Sequence, residues 1–206
     1  MAMSAPAQPS QLSPKHRHEL IHGSGIPAEI VEREGLWSAT ADEVKALLGW
    51  DVGSGGIVFP YPGHEDFVRI RLDKPYMGPG YKKGAKYLSP RKKGNRLYVP
   101  RSLPNDAVLG TGPLIITEGA KKVDSSVSAG LWTTIGLQGV YGWRGTNGHG
   151  GTMALSDWED IALNGREVVI AFDSDVMTKE TVRSALDRLA GFLTSRKAHV
   201  HYLVLP

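Results

Sequence analysis

The chain has no cysteine in 206 residues. Disulfides, thiolate zinc sites and cysteine nucleophiles are therefore excluded, and a reducing, cytoplasmic setting fits. No apolar run approaches the ~18–20 residues that cross a bilayer, so no membrane partner is expected. Residues 1–13 are rich in Ala, Pro, Ser and Gln and lack the apolar stretch of a secretory signal, so they read as a flexible tail. The G-x-x-x-x-G-K-[ST] phosphate loop is also missing, which argues against ATP binding at the glycine-rich run 139–151. Acid is missing locally: no Asp or Glu lies between Lys74 and Arg101.

That acid-free segment, 74–101, is instead basic and aromatic. It carries Lys74, Lys82, Lys83, Lys86, Arg91, Lys92, Lys93, Arg96 and Arg101, with Tyr76, Tyr81, Tyr87 and Tyr98 interleaved. One reading is a solvated glycine-rich loop kept soluble by lysines. The other is a phosphate-tracking strip with rings for base stacking, and the unbroken block of charge favours it. Lys82, Lys83, Lys86, Arg91, Lys92, Lys93 and Arg96 are then candidate nucleic-acid contacts. Each phosphate neutralised would steepen the salt dependence of binding by about 0.7–0.9 log units per decade.

Upstream, glycines punctuate three short helical patterns. Ser13-Pro14 supplies an N-cap and an N1 proline for a helix expected to stop before Gly23. A second runs over 27–34 to Gly35. Thr40 to Glu43 is a capping box opening a third, which ends near Leu48. His16, His18 and His22 have no carboxylate pattern beside them and read as surface histidines rather than zinc ligands. An apolar stretch at 57–61 and the alternation at 67–72 predict strands, with Val68, Ile70 and Leu72 on one face and Arg69 and Arg71 on the other. A short strand is expected near 96–99, and Pro, Gly and Asn over 100–113 suggest a boundary. The expected layout is a small α+β region over 14–110, then an α/β domain over 111–206.

From Leu114 the alternation is regular. Strands are predicted at 114–117, 131–135, 167–172 and 200–205, with helices near 120–129, from Ser156 (a second capping box, Ser156 to Glu159) and over 179–195. This pattern predicts a doubly wound parallel sheet with helices on both faces. Two of the strands end abruptly in carboxylates: the first at Glu118-Gly119, the third at Asp173-Ser-Asp175. Ligands bind open α/β sheets at that end. If these strands are neighbours, three carboxylates within ~4–5 Å repel by a few kcal/mol per pair at an effective dielectric of ~20. A hard divalent cation removes that repulsion: Mg²⁺, with Mn²⁺ as the alternative. A cap-region carboxylate at Glu118 and an Asx turn at Asp173 are the ordinary readings taken singly, but occurring together at strand ends they favour a metal site. Lys121 and Lys122, just after Glu118, either reach a phosphate or line an ordinary exposed helix face. In the glycine-rich run, Arg144 and Trp143 either close over phosphate and base or belong to a connector with a buried tryptophan.

The strand ending in Glu118-Gly119 and the later Asp173-Ser-Asp175 resemble the Toprim domain of primases, topoisomerases, OLD-type nucleases and RecR proteins, over about 114–206. The strings from Thr117 to Lys122, Trp143 to Asn147 and Phe172 to Val176, with the stretch 86–96, resemble a Toprim subfamily of phage and plasmid replication proteins, often found ahead of a helicase domain. The resemblance implies Glu118 as general acid/base, Asp173 and Asp175 as the metal-binding pair, and Gly119 as the glycine beside the metal. It also implies single-stranded DNA or RNA, or a primer-template, as ligand, and a helicase or other replication protein as partner. Phage-type primases often carry an acidic residue four positions after the glutamate. Here that position is Lys122, with Asp124 two residues on. A further acidic motif and a Cys-rich zinc module are missing, and the chain stops just after its last strand, so a fragment or a minimal fold is expected. Three functions remain: primase-like nucleotidyl transfer, a Toprim-type nuclease sharing the same metal centre, and a non-catalytic single-strand binding module.

Overall fold

The computed structural model describes residues 11–81, 83–104, 106–173 and 180–204. The chain forms two compact units, one ending at Lys93 and the other beginning at Gly94. The division falls upstream of the Pro100–Pro113 stretch, because the residues just after Lys93 are built into the second unit.

The first unit starts with α1 (Pro14–Ser24), capped by the Ser13 side chain and closed by Gly25 at φ 65°. The left-handed stop is Gly25 and not Gly23, so the helix outlasts its expected end. Next are α2 (Ala28–Glu34), β1 (Trp37–Ala39) and α3 (Ala41–Leu48), whose Thr40–Glu43 capping box is fully formed. Strands β2 (Gly56–Tyr61), β3 (His64–Tyr76) and β4 (Ala85–Leu88) complete an antiparallel sheet of order β1-β2-β3-β4. Period-2 alternation places Val68, Ile70 and Leu72 of β3 against Val44 and Leu48 of α3. The other face is covered too: Phe67 meets Tyr61 edge-on at 4.9 Å, and Arg71 Nε donates to Glu19 of α1 at 2.9 Å. His16 is buried and not a surface residue, because its two ring nitrogens are held by Ser38 Oγ (2.7 Å) and Asp73 Oδ1 (2.8 Å).

The second unit contains β5 (Leu114–Glu118), α4 (Ala120–Ser128), β6 (Thr133–Leu137), β7 (Arg144–Thr146), β8 (Thr152–Ala154), β9 (Glu167–Phe172), α5 (Glu180–Ser195) and β10 (His199–Val204). Its main sheet has order β10-β9-β5-β6 with all pairings parallel. On one face Leu114, Ile116, Ile135, Leu137, Val168, Ile170 and Phe172 pack with Leu189 and Leu193 of α5. Each such side chain contributes roughly 1.5–3 kcal/mol when fully buried. The opposite face carries α4: Ser126 and Thr134 share a hydroxyl hydrogen bond of 2.8 Å, and Val123 lies over Gly136. A Cβ at Gly136 would stand 2.9 Å from Val123 Cγ2, so only glycine lets the helix approach this closely. Helices on both faces of a parallel sheet give the expected α/β architecture.

Local expectations changed in four places. β6 begins at Thr133, leaving Leu131 and Trp132 exposed while polar Thr134 is fully buried with its hydroxyl satisfied. The short strand near 96–99 is a single antiparallel bridge, Tyr98 to Gly136. The glycine-rich run contains β7, which pairs with β8 just beyond the run to make a two-stranded ribbon. Ser156–Asp160 is one 3-10 turn without a side-chain cap. Glu159, the acid of the expected box, instead pairs with Arg196 at 2.7 Å, and its neighbour Asp157 accepts from Leu97 N at 2.7 Å.

Candidate active site at the carboxyl edge of the parallel sheet

Strands β5 and β9 are hydrogen-bonded neighbours, in parallel register with Thr117 opposite Ala171. Glu118 is therefore the last residue of β5, and Asp173 follows directly on β9, both at the same edge of the sheet. Thr117 Oγ1 donates to Ala171 O at 2.8 Å, a second tie between the strands just before the carboxylates. Gly119 turns β5 into α4 in one residue, at φ 84° and ψ 143°, a conformation open to glycine and costly for any side chain. Its N–H donates to Leu137 O at 2.8 Å, which pins the turn to β6. The N-terminus of α4 thus starts beside Glu118.

Lys122, in the first turn of α4, forms an ion pair with Asp173 Oδ1. The two side chains are 41% and 58% exposed, so the pair is open to solvent. Glu118 and Lys121 are half-buried and both have polar partners of their own. Asp175 lies outside the described residues. Asp124 turns into the core instead: it is fully buried and accepts the Tyr98 hydroxyl at 2.8 Å. Among the described residues there is no cluster of three or more His, Cys, Asp or Glu that could hold a metal. The donor chemistry nevertheless suits a hard cation, since carboxylate oxygens end adjacent strands and a cation, the Lys122 ammonium, already sits on one of them.

The ribbon follows β6 from this edge. Tyr141 Oη donates to Thr181 O at 3.0 Å, holding the loop against the start of α5. The Arg144 guanidinium lies 4.7 Å from the Tyr141 ring centre and 5.6 Å from that of Trp143. Trp143 is 8% exposed and stacks on Phe192 at 5.2 Å, so it anchors the loop and offers no face to a base.

The basic candidates are split between the units. Arg96 belongs to the second, half-buried, with Nη1 donating to Asn95 O at 2.8 Å. Lys83, Lys86, Arg91, Lys92 and Lys93 belong to the first and are exposed, and Lys82 lies outside the described residues. Arg91 sits 4.4 Å over the Trp50 ring, which Tyr76 meets edge-on at 4.7 Å. Lys93 is already paired with Asp66. Arg69, on β3, is largely buried, and burial lowers its pKa; the same burial raises that of the Tyr87 phenol, whose ring lies 5.9 Å from the guanidinium. The Trp50–Arg91 stack and the Tyr98–Asp124 bond carry no sequence signal, because each joins residues far apart in the chain.

Residues 108–206 match a family described as a domain of unknown function, DUF3854. An uncharacterized protein of Picosynechococcus is 35% identical over 97 residues, 43% of this chain and 10% of that protein. Among solved structures, the chain is similar to the zinc-binding and RNA polymerase domains of the Aquifex aeolicus primase. The TM-score there is 0.59 at 17% identity, over 96% of this chain and 51% of that one. It is also similar to the RNA polymerase domain of Mycobacterium tuberculosis primase (TM-score 0.59, 13% identity, 93% and 68% of the two chains). A DNA primase domain from Pseudomonas aeruginosa gives a TM-score of 0.55 at 18% identity, over 98% and 66%. The chain spans about half of the Aquifex primase structure and a tenth of the Picosynechococcus protein. What these likenesses share with the chain is a fold, that of primase catalytic cores.

Proposed function

We propose that this chain is the Toprim-like, Mg²⁺-dependent module of a phage or plasmid DNA replication protein, carrying out primase-like nucleotidyl transfer on a nucleic-acid template. The observation that carries this reading is the parallel pairing of β5 with β9, which brings Glu118 and Asp173 to one sheet edge on a primase-core fold. Asp173, Asp175 and Glu118 would hold the divalent ion. When bound, it would supply Lewis-acid stabilisation of charge developing on a phosphate oxygen. Glu118 accepts the proton of the attacking 3′-hydroxyl; that oxygen bonds to the α-phosphorus of the incoming nucleotide and pyrophosphate leaves. Lys121, Lys122 and Arg144 offer positive charge to the phosphates, while the exposed cations of the first unit hold a single strand by its backbone.

The deciding assay incubates the chain with single-stranded DNA, ribonucleotides and Mg²⁺ or Mn²⁺, beside the Asp173→Asn/Asp175→Asn double variant. Oligoribonucleotide product made by the wild type and absent from the variant is expected. Metal-dependent cleavage without ribonucleotides would select a nuclease. No product from the wild type, with salt-sensitive DNA binding retained, would leave a binding module.

A further inference from the structure

We propose that Tyr81, in the loop joining β3 to β4, is a stacking platform for one nucleobase of single-stranded DNA, with Lys83, Lys86 and Arg91 on the flanking phosphates. This rests on the reading that the exposed cations of the first unit hold a single strand by its backbone.

The acid-free segment holds four tyrosines, and the fold sorts them. Tyr98 is fully buried in the second unit, its hydroxyl bonded to Asp124. Tyr87 is half-buried, its ring beside the Arg69 guanidinium. Tyr76 is half-buried and packs with Trp50 on the core of the first unit, the two rings edge-on at 4.7 Å. Tyr81 is 40% exposed and meets Tyr76 with ring centres 5.6 Å apart and planes at 74°. In such a pair one ring gives its edge and the other a single face. Whichever part Tyr81 takes, at least one of its faces is left uncovered by Tyr76.

The loop is shaped before any ligand arrives. Tyr76 pairs with Ala85 where the two strands meet, the Tyr81 N–H donates to Gly78 O at 3.0 Å, and the Gly84 N–H donates to Tyr81 O at 2.9 Å. The backbone at Gly78 lies against the Tyr76 phenol: a Cβ there would stand 1.9 Å from its hydroxyl oxygen. A ring held between two turns, with its inner neighbour seated on the core, loses little freedom when it binds.

The exposed charge beside the ring is of one sign. Lys83 and Lys86 stand on either side of the Gly84-Ala85 pair and are exposed. The Arg91 guanidinium lies 4.4 Å from the centre of the Trp50 ring, and a stacked guanidinium keeps its in-plane N–H groups for phosphate. The acids closest to these residues in sequence are engaged: Asp51 with Lys45 at 3.3 Å and the Gly53 N–H at 2.9 Å, and Asp73 with Lys15 and His16. A ring face among exposed cations suits a polymer that alternates phosphates with aromatic rings. It selects the single strand, because a duplex keeps its ring faces inside its own stack.

The probes are a fluorescent oligothymidylate and an abasic strand of the same length, which keeps the phosphates and lacks the bases. Both are titrated by anisotropy across a salt series with the wild type, Tyr81→Ala and Tyr81→Phe. The wild type is expected to bind the oligothymidylate more tightly than the abasic strand, with the same salt slope. Tyr81→Ala should lose about 5- to 150-fold on the oligothymidylate, keep its salt slope, and bind the abasic strand as the wild type does. Tyr81→Phe keeps the ring and should keep wild-type affinity. Equal wild-type affinity for the two strands, or an undiminished affinity of Tyr81→Ala for the oligothymidylate, would overturn the platform and leave the basic surface standing. Binding of neither strand by the wild type would overturn the basic-surface reading as well. The abasic strand also reports on folding, since an unfolded variant would lose both strands together.

Discussion

The Thr117 hydroxyl donates to the carbonyl oxygen of Ala171, 2.8 Å away, bracing β5 against β9 beside both strand-end carboxylates. Both residues are buried, so the bond holds the spacing of the edge away from competing water. Thr117→Val keeps the shape and removes the donor. It should lower unfolding free energy by about 1 kcal/mol, measured by urea denaturation, and weaken Mn²⁺ binding. Thr117→Ser should restore most of both. Unchanged Mn²⁺ affinity in the valine variant would show that the brace does not set the site.

Asp73 gives the first unit an acid sensitivity. Burial raises its pKa, but hydrogen bonds from His16 and Lys15 outweigh burial and hold the carboxyl below its ordinary value. A carboxyl depressed in the folded state adds stability above its unfolded pKa, and loses it as pH falls through the folded one. The urea midpoint should therefore drop between pH 5 and pH 3 in the wild type. In Asp73→Asn it should be lower at neutral pH and fall less on acidification. Parallel pH profiles for the two proteins would contradict this.

The exposed cations of the first unit should divide by what already engages them. The triple variant Lys83→Ala/Lys86→Ala/Arg91→Ala should weaken single-stranded DNA binding and reduce the salt slope by about two, at ~0.7 per phosphate contact. Lys93→Ala should change it less, because Lys93 is already paired with Asp66. Fluorescence anisotropy across a salt series reads both. Equal slopes in the wild type and the triple variant would remove this surface from the binding site.

What the sequence revealed follows the range of the forces involved. The Thr40–Glu43 box closes over three residues and was legible. So were the runs that became β5 and β9, since a strand buried on both faces has to be apolar. The box expected at Ser156 does not form, and its acid, Glu159, answers to Arg196, distant in the chain. β6 was misplaced by two residues because apolar Leu131 and Trp132 suggested burial, whereas Thr134 is the one buried, its hydroxyl paired with Ser126. Arg166 showed no pattern at all. It is buried and donates to the carbonyls of Ala107, Val108, Gly112 and Ala162, tying down a loop rich in turn residues that had read as a boundary. In the candidate site, the strand-end placement of Glu118 and Asp173 was legible, while the pairing of Lys122 with Asp173 needed three dimensions.

The bridge between Tyr98 and Gly136 has a consequence for how molecules of this chain meet one another. β6 is an outer strand of the parallel sheet, and an outer strand invites pairing with another chain. At Gly136 both outward backbone groups are taken by Tyr98, through hydrogen bonds of 2.9 and 2.8 Å. The segment around Tyr98 thus occupies the backbone groups that an incoming strand would need at that point of the β6 edge.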